Sequence, residues 1–285
     1  MNMVLPGIYF ADANASFDGA KFIICGVPFD RTTSYRAGAR MAPNAIRQAS
    51  YNFETYLFEH DVDLSDVPIN DMGNVEECGS PEEMVDIVGG IVKNIVNAGK
   101  FPVFMGGEHT TTIPVVGAFD DIGVISIDAH LDYRESYLGM KYSHACVTRR
   151  IAEHLGRENV LVFGVRSISA EEKGDDMPEY VDSFTIREVG VEDSFKRALA
   201  TMHRKRIFLT LDVDGIDPAF APATGTPEPF GLTPLEVKKC IGILGERLVG
   251  FDVTEVCPPY DEGNTAALAA RMMREVIAVA WKNMK

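Results

Sequence analysis

The stretch Val124-Ile125-Ser126-Ile127-Asp128-Ala129-His130-Leu131-Asp132 runs a short apolar segment straight into two acids and an imidazole. A continuous apolar run that ends in polar chemistry is the pattern of a strand buried in a parallel sheet, with its functional side chains at the carboxyl end. If the segment stays extended, alternate side chains share a face, so Asp128, His130 and Asp132 project into one small volume. Two carboxylates and an imidazole packed that closely require a counter-charge, and a divalent metal is the usual one. A strand end with solvated acids is the plainer alternative. It does not survive a second occurrence of the pattern, because Leu209-Thr210-Leu211-Asp212-Val213-Asp214 ends another apolar run with two more acids at the same spacing.

Working outward from these two runs, strands are expected at 22–27, 68–71, 102–106, 122–127, 160–165, 183–186, 207–213 and 248–253. Amphipathic helices lie between many of them, which predicts a parallel sheet covered on both faces. The clearest helix follows Ser80-Pro81-Glu82-Glu83, where Ser80 can cap, Pro81 suits the first turn and Glu83 closes a capping box. Its apolar residues from Met84 to Val96 recur at helical spacing, and Gly99 stops it. Thr233-Pro234-Leu235-Glu236 repeats the start signal, and 264–282 reads as a last helix carrying Trp281. No linker, low-complexity tract or internal repeat divides the chain, so residues 1–285 are read as one domain.

Composition bounds the function. With 285 residues, 46% of them hydrophobic, the chain can bury a sizeable core. A net charge of -15 repels nucleic acid and anionic lipid, so neither is expected as a partner, whereas a small cation is mildly attracted. The opening Met1-Asn2-Met3-Val4-Leu5-Pro6 lacks the charged flank and long apolar core of a signal peptide, and no stretch reaches membrane-spanning length. Cys25, Cys78, Cys146, Cys240 and Cys257 are odd in number and scattered, which predicts reduced thiols and a cytoplasmic location.

Six strand ends carry polar chemistry. Besides the two acid runs, Gly106-Gly107-Glu108-His109 follows 102–105, Asp252 to Glu255 follow 248–251, and Gly164-Val165-Arg166-Ser167 and Gly26-Val27-Pro28-Phe29-Asp30 sit at comparable positions. Core packing does not explain such a rim. Neither GxxxxGK[ST] nor GxGxxG occurs, so these glycines are read as sharp turns beside a site, not as a phosphate cradle.

Gly106-Gly107-Glu108-His109, Asp128-Ala129-His130-Leu131-Asp132 and Leu211-Asp212-Val213-Asp214-Gly215-Ile216-Asp217-Pro218 resemble the signatures of the ureohydrolase (arginase/agmatinase) family. The likeness extends to Gly26–Asp30 with Ser34, Arg36-Ala37-Gly38, Pro43, Ile46 and Arg47, and to Phe251-Asp252-Val253-Thr254-Glu255-Val256. The resemblance implies a three-layer α/β/α fold with a mainly parallel eight-stranded sheet, two Mn2+ per chain, and a homo-oligomer, trimer or hexamer. It also implies that His109 and Asp132 hold one ion, His130 and Asp214 the other, with Asp128 and Asp212 bridging. Charge counting agrees, since four aspartates offset two divalent cations, and oxygen-rich ligation with two imidazoles suits manganese.

Two close cations lower the pKa of a shared water from about 15.7 toward neutrality, giving a nucleophile without serine or cysteine. The reaction expected is attack on a guanidinium carbon, releasing urea and an amine. By the family resemblance Asp132 moves a proton to the departing amine, and Glu255 pairs with the planar guanidinium. His144 is the remaining acid–base candidate, able to shuttle protons at the pocket rim. Arg166 is expected to orient a rim loop, while His60, His154 and His203 match no motif. A deacetylase-like hydrolase with one metal and a metal-binding regulatory or structural subunit are the alternatives; six ligand positions and Glu255 argue against both. Agmatine is the expected substrate, ahead of arginine and 4-guanidinobutyrate. Arginases recognise the amino-acid head with an Asn two residues past the Asp-x-His-x-Asp run and with acids after the Gly-x-Arg strand end. Here those positions hold Arg134, Ser167 and Ser169. Arg134 cuts the other way, since a cation there repels an ammonium unless Glu135 or another acid intervenes.

Overall fold

The computed structural model describes residues 8–284, so the opening segment Met1 to Pro6 lies outside it. In chain order come β1 (Phe22–Gly26), α1 (Ala42–Ser50), β2 (Tyr56–Leu57), β3 (Val62–Asp63), β4 (Ile69–Asn74), α2 (Pro81–Asn97), β5 (Phe101–Met105), α3 (Thr112–Val116) and β6 (Gly123–Ile127). They are followed by α4 (Val147–Leu155), β7 (Val160–Val165), β8 (Glu179–Asp182), α5 (Ser183–Val189), α6 (Val191–Thr201), β9 (Ile207–Asp212), α7 (Pro234–Leu244), β10 (Leu248–Thr254) and α8 (Asn264–Met284). Eight strands form one sheet in the order β4-β1-β5-β10-β9-β6-β7-β8. Every neighbouring pair in it is parallel. The short β2–β3 ribbon is antiparallel and separate.

Side chains of the sheet divide by strand alternation into two cores. Phe22, Ile24, Val103, Met105, Ile125, Ile127, Leu209 and Leu211 face one side, where α1, α5, α6, α7 and α8 supply Ile46, Ile186, Phe195, Val237 and Met273. Ile23, Cys25, Phe104, Val124, Val162 and Phe208 face the other, against Met84 of α2, Val115 of α3 and Val147 of α4. The result is the three-layer α/β/α arrangement. Among the described residues no helix is long and apolar enough to cross a membrane. The five cysteines are all buried and unpaired with one another.

Two local expectations need correction. The run 183–186 is not a strand but the start of α5, because the Asp182 carboxylate accepts the backbone N–H groups of Phe184 and Thr185 and nucleates a helical turn. The strand falls just before it, at the edge of the sheet. At α2, Ser80 accepts the Glu83 N–H at 3.2 Å as expected, but the Glu83 carboxylate reaches Gly79 N–H at 2.6 Å and no capping box closes. Thr233 and Glu236 do form one at α7. Buried polar contacts fix α1 and the loop that precedes it. Arg47 of α1 makes two 2.8 Å bonds to Asp71 of β4, and Asp30 accepts Gly38 N–H at 2.8 Å.

Candidate metal centre

The four motifs that end in acids or histidine belong to β5, β10, β9 and β6, which are consecutive neighbours at the middle of the sheet. Parallel pairing puts all four carboxyl ends on one rim. After β5 the chain passes the N-terminal loop so closely that a Cβ on Gly107 would lie 1.8 Å from the Phe29 carbonyl oxygen. Only glycine allows that approach, and it delivers His109 to a position 1% exposed. Beyond β6 the chain does not stay extended as expected. It leaves the sheet at Ile127, and Asp132 adopts a left-handed conformation with φ 52°. The three side chains converge because the loop curls, not because they share one strand face. After β10, Glu255 is also left-handed, with φ 62°, its N–H donating to Gly107 O at 2.8 Å. Strained backbone of this kind costs on the order of 1–3 kcal/mol and persists where surrounding contacts over-determine it.

All six sequence-predicted ligand positions meet. Asp132 Oδ2, Asp128 Oδ2 and Asp212 Oδ2 lie 3.1, 3.2 and 3.4 Å from His109 Nδ1. His130 Nδ1 lies 3.0 Å from Asp214 Oδ2 and 3.7 Å from Asp128 Oδ1. Two triads result, His109–Asp128–Asp132 and Asp128–His130–Asp214, in each of which the candidate donor atoms fall within 4.8 Å of one another. Asp128 belongs to both, one oxygen toward each. Both imidazoles turn Nδ1 inward, and His109 Nε2 is backed by Thr210 Oγ1 at 3.2 Å.

The electrostatics show what counter-charge these side chains suit. Burial opposes charge on His109 and His130, but the facing carboxylates override it and hold both well above the ordinary imidazole value. Burial, then the charge of Asp128, pushes Asp132 up to about 7. Asp212 is raised well above its usual value by burial and by Asp214 and Asp128. Burial would raise Asp128 too, but the two histidines bring it down. The side chains alone thus balance excess negative charge by sharing protons, a role that two divalent cations fill with oxygen and imidazole donors already converged. The residues fit such ions.

A cleft of about 170 Å³ opens onto the cluster. Glu255 sits at its floor, its Oε1 accepting His109 N–H at 2.7 Å, and burial followed by the charge of Glu108 pushes its carboxyl up to about 8. His144 lies on the wall, packed edge-on to Tyr137 at 5.5 Å between ring centroids. Burial, then His130 and His109, lower it to about 4. Arg166 donates to the carbonyls of Gly164, Asp214, Gly215, Glu228 and Pro229, tying two rim loops together as expected. His60 pairs with Glu275 and His154 with the Phe119 carbonyl, both away from the cleft.

Sequence reading missed three groups here. Glu172 lines the cleft at 8% exposure, so carboxylates are not absent after the Gly-x-Arg strand end. It was overlooked because the two nearest positions are serines. Its two oxygens accept Tyr133 N–H and Ser169 N–H, each at 2.8 Å. The Ser169–Glu172 capping box is the signal that could have located it. Glu108 and Thr32, hydrogen-bonded behind His144, are the others. Arg134 is paired with Glu171 and stacked 4.9 Å over Tyr137, while Glu135 instead faces Arg149.

Comparison with known proteins agrees with this geometry. The Arginase family profile matches residues 20–279. An agmatinase of Pyrococcus horikoshii is 36% identical over 283 residues, covering 98% of this chain and 96% of its own. An N(1)-aminopropylagmatine ureohydrolase of Thermococcus kodakarensis is 38% identical over 259 residues, covering 89% and 88%. The crystal structure of agmatine ureohydrolase of Thermoplasma volcanium superposes with a TM-score of 0.94 at 39% identity, covering 98% of this chain and 96% of that one. Matched almost end to end in sequence and in fold, the chain belongs to the arginase family of ureohydrolases.

Proposed function

We propose that the protein hydrolyses agmatine to putrescine and urea with two manganese ions held by His109, Asp128, His130, Asp132, Asp212 and Asp214. The ions would supply Lewis-acid polarisation and an acidified water. The chain's own groups do the rest. Glu255, buried at the floor beside His109, pairs in forked fashion with the guanidinium and orients its carbon. Asp132 takes a proton from the attacking water and passes it to the departing amine nitrogen. His144 exchanges protons between the cleft wall and solvent. The water oxygen adds to the guanidinium carbon, and the tetrahedral centre then collapses with cleavage of the C–N bond to the protonated amine, leaving urea and putrescine.

The observation that carries the choice of agmatine is the charge of the outer cleft. Arg134, the residue that would repel a distal ammonium, is paired with Glu171, and Glu172 contributes a carboxylate that accepts two backbone amides. A cationic tail fits that wall better than a carboxylate tail. The names of the similar proteins, agmatinase and N(1)-aminopropylagmatine ureohydrolase, support the same tail chemistry. The test is a urea-release screen with manganese supplied, over agmatine, N1-aminopropylagmatine, arginine and 4-guanidinobutyrate. Agmatine should give putrescine and urea in equal amounts at the highest catalytic efficiency; preference for arginine or 4-guanidinobutyrate overturns the substrate. Residues 1–285 are read as one catalytic domain, acting in the cytoplasm as a homo-oligomer, which sedimentation and fractionation would check.

A further inference from the structure

We infer that Thr32, pinned by Glu108, fixes His144 in the tautomer that carries its proton on Nδ1 and turns a bare Nε2 into the cleft. The inference rests on the reading above only in making that Nε2 useful; the tautomer itself follows from counting hydrogen-bonding capacity. A threonine hydroxyl has one proton and two lone pairs. The Thr32 Oγ1 proton goes to Glu108 Oε1 at 2.7 Å, its shortest contact. One lone pair receives the backbone N–H of His144 at 3.1 Å. The remaining lone pair faces His144 Nδ1, also at 3.1 Å, so that nitrogen must be the donor.

Glu108 keeps the hydroxyl from turning round. It is fully buried and accepts from Thr32 N–H at 2.8 Å, Thr110 Oγ1 at 2.7 Å and Thr33 Oγ1 at 3.3 Å besides Thr32 Oγ1. Releasing the Thr32 proton toward His144 would strip one of these bonds from a buried carboxylate. Thr110 Oγ1 lies 3.4 Å from Thr32 Oγ1 and Ser143 Oγ lies 3.5 Å from Nδ1, both too distant to compete. On the other side of the ring only Ser34 Oγ, at 3.5 Å, approaches Nε2 among the described residues. Tyr137 packed edge-on holds the ring plane. Thr32 is therefore a positioning residue, acting through His144 without touching substrate.

The test is long-range 1H–15N correlation on the protein labelled at histidine and loaded with a diamagnetic divalent ion such as zinc, with His144 assigned by its loss in His144→Gln. Wild type should show a protonated Nδ1 and a pyridine-type Nε2. Thr32→Val keeps the volume and removes the hydroxyl; it should shift His144 toward the Nε2–H form. In the manganese enzyme kcat should fall by roughly 10- to 100-fold, part of the usual general acid–base contribution, with KM little changed. Thr32→Ser should restore both the spectrum and kcat. An Nε2–H tautomer in wild type, or a spectrum unmoved by Thr32→Val, overturns the inference. A protonated Nδ1 that Thr32→Val shifts, combined with full turnover in His144→Gln, upholds it and removes the proton-transfer role of His144 instead.

Discussion

Replacing Glu172 by Gln takes one negative charge from the outer cleft wall while keeping the side chain's length. At an effective dielectric of about 20, an ammonium roughly 4 Å from a carboxylate gains about 4 kcal/mol. Water at the mouth of the cleft screens the pair, so about 1.5–2 kcal/mol is the expected share, or roughly 10- to 30-fold in kcat/KM for agmatine. For 4-guanidinobutyrate the same change relieves repulsion and should raise efficiency comparably, moving the ratio of the two substrates by on the order of 100-fold. The ratio is the quantity to measure. Both Glu172 oxygens accept backbone N–H groups, and a Gln amide can serve only one of them, which costs about 1–3 kcal/mol of local stability. Such damage lowers both activities together, whereas loss of the charge separates them. Steady-state urea release from the two substrates in wild type and variant gives the answer, and an unchanged ratio would refute the assignment of Glu172 to the substrate's tail.

Other perturbations probe other parts of the molecule. Asp128→Asn should abolish tight binding of both ions, because this carboxylate faces both triads, and elemental analysis should fall from two ions per chain to below one; two retained ions with full activity would sink the binuclear reading. Glu255→Gln should retain both ions yet lose guanidinium capture, by roughly 100-fold or more in kcat/KM, so wild-type efficiency would count against it as the anchor. Away from the site, burial would raise the Glu275 carboxyl, but His60 and Arg271 bond to it and, with Lys238, hold it below the ordinary 4.5. A depressed folded value stabilises above about pH 4.5 and the benefit fades as pH falls through the folded value. Glu275→Gln should therefore lower stability by about 2 kcal/mol at pH 7, and the gap in melting temperature should narrow on acidification; a constant gap would contradict it.

Much of this was legible because a metal cluster cannot be improvised: it needs several charged groups at strand ends, and those groups stand out against apolar runs. Asp128, His130, Asp212 and Asp214 announce themselves that way. What stayed hidden depends on backbone turns and on partners distant in sequence. Nothing local says that Asp132 and Glu255 are left-handed, since that conformation is imposed by the loops they close. The place of Glu172 in the cleft and of Thr32 behind His144 follows only from how the rim loops fold over β6 and β1. At 183–186 a β-branched and aromatic run suggested a strand, but the Asp182 cap outweighed propensity, and the true strand was masked by Glu179 and Asp182 at an exposed edge.

The position of β10 between β5 and β9 bears on how the enzyme is made. It is the last strand in chain order, yet it is the piece that joins β4-β1-β5 to β9-β6-β7-β8. Until it emerges from the ribosome the nascent chain holds two half-sheets with an open edge each, surfaces that invite mispairing and chaperone capture. His109 belongs to the first half, and Asp128, His130, Asp132, Asp212 and Asp214 to the second. The triad of His109, Asp128 and Asp132 would therefore be completed only by the insertion of β10, whereas Asp128, His130 and Asp214 already share the second half, so capture of the ion facing His109 would act as a checkpoint on completed synthesis.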